Sequence, residues 1–145
     1  MEIRHVIIED SKRIWEIRNH PAVRAVSGSP EMIDFQDHLP WFENKYFNTG
    51  ENLCFVLETQ HGVVGYCRFD NNQDKDIYII SIALDPDYHG KGLGIYLLNE
   101  SLKRCDKNKK ILAEIKKDNI RSLKLFENQG FIKVKEDKDK YILIK

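Results

Sequence analysis

The pattern of apolar and polar positions predicts short strands interleaved with amphipathic helices. Apolar residues recur at helical spacing after Asp10 or Ser11, between about 34 and 47, from 93 to about 105, and from 119 to 129. Pro40 lies inside the second of these helices, where we expect it to break the helix or to start a new one. Runs rich in β-branched and aromatic residues predict strands at 3–8, 53–58, 63–69, 78–84, 111–115, 131–135 and 141–144, and the polar run 71–76 predicts a turn.

A glycine-rich loop joins the predicted strand at 78–84 to the following helix. Its sequence runs from Asp85 to Gly94 and contains Gly90 and Gly92. Glycine lets backbone N–H groups approach a ligand closely, and a helix N-terminus adds unpaired donors and partial positive charge. The layout therefore favours an anion site, although such turns also close helices without any ligand. The spacing matches neither a Walker loop nor a dinucleotide-binding loop.

A second motif begins at Asn119, after the predicted strand at 111–115. Asn119 is expected to cap a short helix, and Gly130 is expected to end it in a left-handed conformation. Together the two motifs resemble the GNAT superfamily of acetyl-CoA-dependent N-acetyltransferases. The first family signature, Arg/Gln-x-x-Gly-x-Gly/Ala, corresponds to His89, Gly92 and Gly94, and the second corresponds to 119–131.

The resemblance implies one α/β domain spanning 1–145, with a mixed sheet of about six to seven strands flanked by about four helices. It also implies that acetyl-CoA is the co-substrate and that no metal takes part. Main-chain groups of the loop would hold the pyrophosphate, and Ala83 and Leu84 would pair with the pantetheine arm. The N–H of Leu84 or Ala83 would polarise the thioester carbonyl. The implied coenzyme-binding residues are Ala83, Leu84, His89, Gly90, Lys91, Gly92, Leu93, Gly94, Ile95, Asn119, Ser122 and Phe126.

The proton donor for the leaving thiolate departs from the family pattern. Many members have a tyrosine where this chain has Phe126, which carries no proton to give. Ser122 or a water takes its place, or the thiolate leaves unassisted, since a free thiol has a pKa of only about 8.5. We interpret Phe126 as a packing residue.

The general base is not evident from the predicted strand before the glycine loop, because no carboxylate lies between Ile77 and Leu84. His38 is one candidate, because histidine titrates near neutral pH. Glu114 is the other, and it would need a raised pKa or a water relay. Each is also compatible with a structural role.

The acceptor is expected to bind to the N-terminal third. Arg18, Arg24, His38 and Trp41 resemble a pattern of N-acetyltransferases that act on nucleotide-linked 4-amino-6-deoxy sugars, notably in pseudaminic-acid biosynthesis. A diphosphate and a base would suit Arg18, Arg24 and Trp41. Ribosomal-protein N-terminal acetyltransferases share the pattern, so a protein N-terminus is an alternative acceptor, and a non-catalytic coenzyme-binding module is a third interpretation. The arginines and Trp41 would otherwise be capping and core residues.

The composition limits the kinds of partner and location that this hypothesis allows. The 145 residues include 23 basic and 23 acidic side chains, and this balance does not favour a nucleic-acid surface. No stretch has the roughly 20 apolar residues of a membrane span. The three cysteines lack metal-ligand spacing and are expected to be reduced thiols of a cytoplasmic protein. The acceptor is expected to be a small-molecule amine, and a homodimer is compatible with the pattern.

Overall fold

A seven-stranded mixed sheet forms the centre of the computed structural model, which describes residues 1–48, 50–72 and 76–145. The strands are β1 (Glu2–His5), β2 (Leu53–Thr59), β3 (Gly62–Asn72), β4 (Ile77–Leu84), β5 (Lys110–Lys116), β6 (Ile132–Glu136) and β7 (Lys140–Ile144). Their order in the sheet is β1-β2-β3-β4-β5-β7-β6. All neighbours are antiparallel except β4 and β5, which are parallel.

Five α-helices cover the two faces of this sheet. They are α1 (Ser11–Asn19), α2 (Pro21–Ala25), α3 (Phe35–Glu43), α4 (Leu93–Arg104) and α5 (Ile120–Asn128). The larger core cluster joins α4 and α5 to one face, and the smaller joins α1 and α3 to the other. The architecture confirms the predicted α/β class with a mixed sheet.

Strand β2 contributes side chains to both core clusters. Successive side chains of a strand point to opposite faces. Phe55 and Leu57 accordingly belong to the larger cluster, whereas Cys54 and Val56 belong to the smaller one. A continuous apolar run is therefore what a strand buried on both faces requires.

Two sequence predictions about the N-terminal half were wrong. The first strand ends at His5 and not near Ile8, because the side chain of Asp10 accepts the Ile7 N–H at 2.9 Å and the chain turns there. Helix α3 runs through Pro40 without a break. Proline removes one helical donor, but burial of the flanking His38 and Phe42 stabilises the helix on both sides.

The predicted turn at 71–76 is also shorter than expected. Asn71 and Asn72 extend β3, where they pair with Tyr78 and Ile77. Positions 73–75 of that predicted turn lie outside the described residues. Gly130 ends α5 with a φ of +90°, as predicted.

The cysteines and the helices bear on two other predictions. Cys54, Cys67 and Cys105 are buried free thiols. Across 1–48, 50–72 and 76–145, the structure has no helix with the length and apolar character needed to cross a membrane.

Candidate active site

A wedge opens where the parallel strands β4 and β5 separate. The two strands pair at Ile77, Tyr78 and Ile79, and within the described strands no later residue of β4 pairs with β5. Both strands nevertheless continue, β4 to Leu84 and β5 to Lys116. The β5-facing edge of β4 therefore offers unpaired main-chain groups, and a ligand can pair with such an edge as an added strand does.

The N–H of Leu84 points into this wedge. Asp85 donates its N–H to the carbonyl of Val64 at 2.8 Å, toward β3. Because N–H directions alternate along a strand, the N–H of Leu84 points away from β3 and toward β5. Of the two amides considered from the sequence, Leu84 and not Ala83 is thus placed to meet a ligand carbonyl in the wedge.

Gly65 allows β3 and β4 to lie close together at this point. It pairs with Leu84 across the sheet. A Cβ at position 65 would lie 2.6 Å from Leu84 Cδ2 and 3.0 Å from the carbonyl oxygen of Ala83. Sequence reasoning did not single out Gly65, because its requirement arises from a strand distant in the chain.

The glycine loop presents its backbone at the start of α4. Gly90 and Gly92 have φ values of +78° and +77°, which are unfavourable for other residues. Gly92 is the N-cap of α4 and provides no side-chain cap. The first N–H groups of α4 have no acceptor within the helix, and they are therefore suited to hold an anion.

Asp85 fixes the entry into this loop and was not singled out from the sequence. Its carboxylate accepts from Arg13 Nη2 at 2.5 Å and from the Asp87 N–H at 3.0 Å. Arg13 also donates to the carbonyl of Val63 at 2.8 Å. Helix α1, β3 and the glycine loop are thereby tied together.

A first cavity of about 660 Å³, which we call the coenzyme cleft, lies along the end of β4, the glycine loop and the start of α5. Most of the predicted coenzyme residues line it: Ala83, Leu84, His89, Gly90, Gly92, Leu93, Gly94, Ile95, Asn119 and Ser122. Lys91 and Phe126 do not line this cavity, and the ammonium of Lys91 lies 5.3 Å from the centre of the Tyr88 ring. Burial and the charge of Arg121 lower the pKa of His89. The donors, the open strand edge and the volume fit a phosphate-bearing coenzyme with an extended arm.

A second cavity of about 1020 Å³, which we call the acceptor cleft, lies on the side of α1 and includes the wedge, where residues 79–83 of β4 and 113–116 of β5 line it. Arg18, Tyr66, Arg68, Asp70 and Glu114 are among its lining residues. The two cavities share the lining residues Val23, Val26, Ile82, Ala83, Asp118, Asn119 and Ser122. A group transferred from one ligand to the other would pass at this junction.

Asn119, Ser122 and Phe126 line the acceptor cleft from α5 and its N-cap. The Asn119 side chain accepts the Ser122 N–H at 3.2 Å, which caps the helix as predicted. Phe126 is 2% exposed and meets Phe131 edge-on, with ring centres 4.9 Å apart. This packing is compatible with the structural role expected for Phe126, and Ser122 lines both cavities.

His38 lies in the core and not in the acceptor cleft. It is 1% exposed and packs against Phe35, Trp41 and Phe42. Burial and the charge of Arg18 lower the pKa of His38 to about 4. A general base must reach the proton that it accepts. This placement argues against the expectation that His38 deprotonates the acceptor.

Glu114 does line the acceptor cleft. Its side chain is 46% exposed and lies 3.3 Å from the Lys140 ammonium. It remains our candidate for the group that receives a proton from the acceptor amine, directly or through water.

Arg24 and Trp41 do not line either cavity. Arg24 donates to the carbonyl oxygens of Asn19 at 2.9 Å and Pro30 at 3.3 Å, so it braces the loop after α2. The ring of Trp41 lies behind the cleft wall, with the guanidinium carbons of Arg18 and Arg68 at 4.5 Å and 5.2 Å from its centre. Trp41 therefore stacks against Arg18 and Arg68 and is not placed to stack on an acceptor, as was expected.

Arg68 and Asp70 are polar residues of the cleft that sequence reasoning missed. Asp70 accepts from Arg68 at 3.0 Å and from the Tyr46 hydroxyl at 2.9 Å, and Lys45 lies 3.3 Å away. The sequence did contain a pattern that could have indicated them. Tyr66, Arg68 and Asp70 occupy every second position of β3, and alternate residues of a strand lie on the same face of the sheet.

The sequence model of the Acetyltransferase (GNAT) family matches residues 12–131. The chain belongs to this family, and it is an acetyl-CoA-dependent N-acetyltransferase. Acetyltransferase PseH of Campylobacter jejuni is 30% identical over 136 residues, which cover 92% of this chain and 83% of PseH. The L-amino acid N-acyltransferase MnaT of Escherichia coli is 30% identical over 141 residues, covering 91% of this chain and 80% of MnaT.

A solved structure adds the coenzyme to this comparison. The structure of yncA from Salmonella typhimurium with its cofactor acetyl-CoA has a TM-score of 0.81 and 26% identity, and the match covers 100% of this chain and 92% of yncA. Acetyl-CoA is accordingly the acetyl donor of this family member. The coenzyme cleft is our candidate for its binding site.

Proposed function

We propose that the protein acetylates the primary amine of a UDP-linked 4-amino-6-deoxy sugar. The observation that carries the proposal is the acceptor cleft itself, which is large and has two arginines in its wall. Its volume of about 1020 Å³, which includes the wedge between β4 and β5, leaves room for an acceptor beside the end of the coenzyme arm. The similarity to PseH over 92% of the chain supports the same acceptor class.

Arg18 supplies the recognition of a diphosphate, and Arg68, which is paired with Asp70, lies beside it in the same wall. Guanidinium groups bind phosphate oxygens through paired, charge-assisted hydrogen bonds. Both arginines line the cleft. An acceptor anchored there by its diphosphate would place its sugar toward the junction at Ala83, where the coenzyme cleft begins.

Acetyl-CoA supplies the acetyl group and leaves as the free thiol, and the chain positions the groups around that exchange. The Leu84 N–H stabilises negative charge on the carbonyl oxygen during attack by the amine. Glu114, or a water beside it, receives the proton that the amine releases. Direct attack is favoured over an acetyl-cysteine, because all three cysteines are buried and burial raises the pKa of Cys67 to about 12.

An L-amino acid is a second candidate acceptor, because MnaT is as similar to this chain as PseH is. Its carboxylate would bind the same arginines. A protein N-terminus remains the third alternative from the sequence pattern.

The test is a panel of three acceptors with acetyl-CoA: a UDP-4-amino-4,6-dideoxy sugar, an L-amino acid and a peptide with a free N-terminus. Thiol release and the mass of the product are measured for each, with the corresponding sugar lacking UDP as a control. We expect kcat/KM for the UDP-linked sugar to exceed that of every other acceptor by at least about tenfold. An acceptor without the diphosphate would leave polar groups of the site unpaired, and sites of this kind discriminate strongly. A higher kcat/KM for the amino acid or the peptide contradicts the proposal.

A further inference from the structure

Arg18 in the wall of the acceptor cleft forms a compact cluster with two side chains behind that wall, His38 and Trp41. We call Arg18, His38 and Trp41 the Arg18 cluster. Arg18 Nη1 lies 3.2 Å from His38 Nδ1, and the Arg18 guanidinium lies 4.5 Å from the centre of the Trp41 ring. The rings of His38 and Trp41 are 5.7 Å apart. One face of the guanidinium is therefore covered, and one of its donors is occupied.

Arg18 is a cation without a carboxylate partner. Among 1–48, 50–72 and 76–145, no acidic group lies within ion-pair distance of Arg18, whereas its neighbour Arg68 is paired with Asp70 at 3.0 Å. Arg18 is half-buried, and burial lowers its pKa. A partly desolvated charge is costly unless it meets a counter-charge. Arg18 lines the acceptor cleft, where an acceptor anion can supply that charge.

His38 gives Arg18 an acceptor without giving it a negative charge. A guanidinium only donates hydrogen bonds, so His38 Nδ1 must be the unprotonated nitrogen of the ring. His38 Nε2 then carries the proton, and the ring has a hydrogen bond to the backbone of Ser11. A carboxylate in the same place would neutralise Arg18 and weaken its attraction for an anion, whereas a neutral imidazole orients it and leaves its charge intact.

The orientation of the His38 ring is fixed by its neighbours. Phe42 and Phe35 lie at 5.6 Å and 6.2 Å, stacked at 21° and 26° to the imidazole plane. Helix α3, which carries all four aromatic residues of this group, is thus the support on which Arg18 of α1 rests. A side chain so confined holds one hydrogen-bond direction.

We propose that His38 is a positioning residue for the acceptor: with Trp41 it holds the Arg18 guanidinium at the cleft wall, where Arg18 binds an anionic group of the acceptor. The proposal rests on the proposed function for the identity of that group as a diphosphate. It assigns His38 no contact with the acceptor amine.

The experiment measures binding of UDP by calorimetry with the coenzyme cleft filled by saturating CoA, so that UDP cannot occupy it. We expect Arg18→Met to lower UDP affinity by at least about tenfold, the scale of a hydrogen bond to a charged group. His38→Leu is expected to lose affinity to a similar degree. His38→Asn, whose amide oxygen replaces Nδ1, should stay within about threefold of wild type, and His61→Leu on the β2–β3 turn is the matched histidine control.

Kinetics with the best acceptor of the panel supplies a second measurement. The proposal expects His38→Leu to raise the KM of the acceptor with little change in kcat or in the KM of acetyl-CoA. In His38→Asn the KM of the acceptor should be close to that of wild type. Unchanged UDP affinity and unchanged acceptor KM in a folded His38→Leu overturn the proposal, as does a His38→Asn variant that loses as much as His38→Leu.

Two further results separate this proposal from the proposed function. If wild type prefers an amino acid, the proposed function fails while the KM effects of Arg18→Met and His38→Leu still test the positioning role through the carboxylate. If His38→Leu does not fold, the nitrogen-15 chemical shifts of His38 in wild type show which ring nitrogen carries the proton. A protonated Nδ1 there overturns the proposal, and a protonated Nε2 supports it.

Discussion

The two clefts that meet at Ala83 are built in different ways. The coenzyme cleft is lined by the end of β4, the glycine loop and the first turn of α4, whose main-chain donors suit an anion, and by residues of α5 and the α2 region. The acceptor cleft consists of side chains from elements far apart in the chain, including Arg18 on α1, Arg68 on β3 and Glu114 on β5. The first depends on backbone conformation and the second on pairwise side-chain contacts, so substitutions should affect them differently.

The largest effect is expected from a change to the backbone of the coenzyme cleft. Gly92→Val places a branched side chain at a φ of +77° and obstructs the approach of a phosphate to α4. Affinity for acetyl-CoA, measured by calorimetry, should fall by well over about tenfold while the fold persists. Gly62→Val is the matched control, because Gly62 has a φ of +94° but lies in the β2–β3 turn. If Gly92→Val binds acetyl-CoA as tightly as wild type does, the coenzyme cleft does not depend on the backbone of the glycine loop.

A smaller effect is expected where the two strands must lie close together. Gly65→Ala would bring a Cβ within 2.6 Å of Leu84 Cδ2 and 3.0 Å of the Ala83 carbonyl. Overpacking of this kind costs about 1–3 kcal/mol of unfolding free energy. Chemical denaturation measures it, with Gly28→Ala as control, because a Cβ there meets nothing within 4 Å. If the two variants are equally stable, the packing of β3 against β4 is looser than the structure implies.

The smallest effect is expected at Phe126, which lines the acceptor cleft but packs on Phe131. Phe126→Tyr should leave kcat unchanged or raise it, since it adds a proton donor. Phe126→Leu should lower kcat by less than about tenfold. A loss of about a hundredfold in Phe126→Leu, with coenzyme affinity intact, would mean that the ring takes part in the chemistry.

The difference between the clefts also explains what the sequence alone could predict. The glycine loop and the Asn119 helix were recognisable because backbone requirements appear locally, as glycines and caps at fixed spacing. The β-α order was implied by the family resemblance and was compatible with the apolar pattern, except that the short helix α2 was not predicted. The acceptor cleft was predicted less well: Arg18 and Glu114 line it, whereas Arg24, His38 and Trp41 do not.

Long-range contacts account for the misses. Nothing near Arg68 in the chain indicates that it shares Trp41 with Arg18. Nothing near Gly65 shows that Leu84 will lie against it. The helix through Pro40 depends on the burial of His38 and Phe42, a tertiary effect that outweighs a local preference.

The central claim is that the chain binds its coenzyme and its acceptor in two adjoining clefts, the first depending on backbone donors of the glycine loop and the second on side chains such as Arg18. Crossed calorimetric titrations of Gly92→Val and Arg18→Met test it most directly, with acetyl-CoA alone and with UDP in the presence of saturating CoA. UDP binding to Gly92→Val is measured at a CoA concentration raised to saturate that variant. The account predicts that Gly92→Val loses acetyl-CoA affinity and keeps UDP affinity, and that Arg18→Met does the reverse, each loss being at least about tenfold. Loss of both ligands in either variant, or of neither, would contradict it.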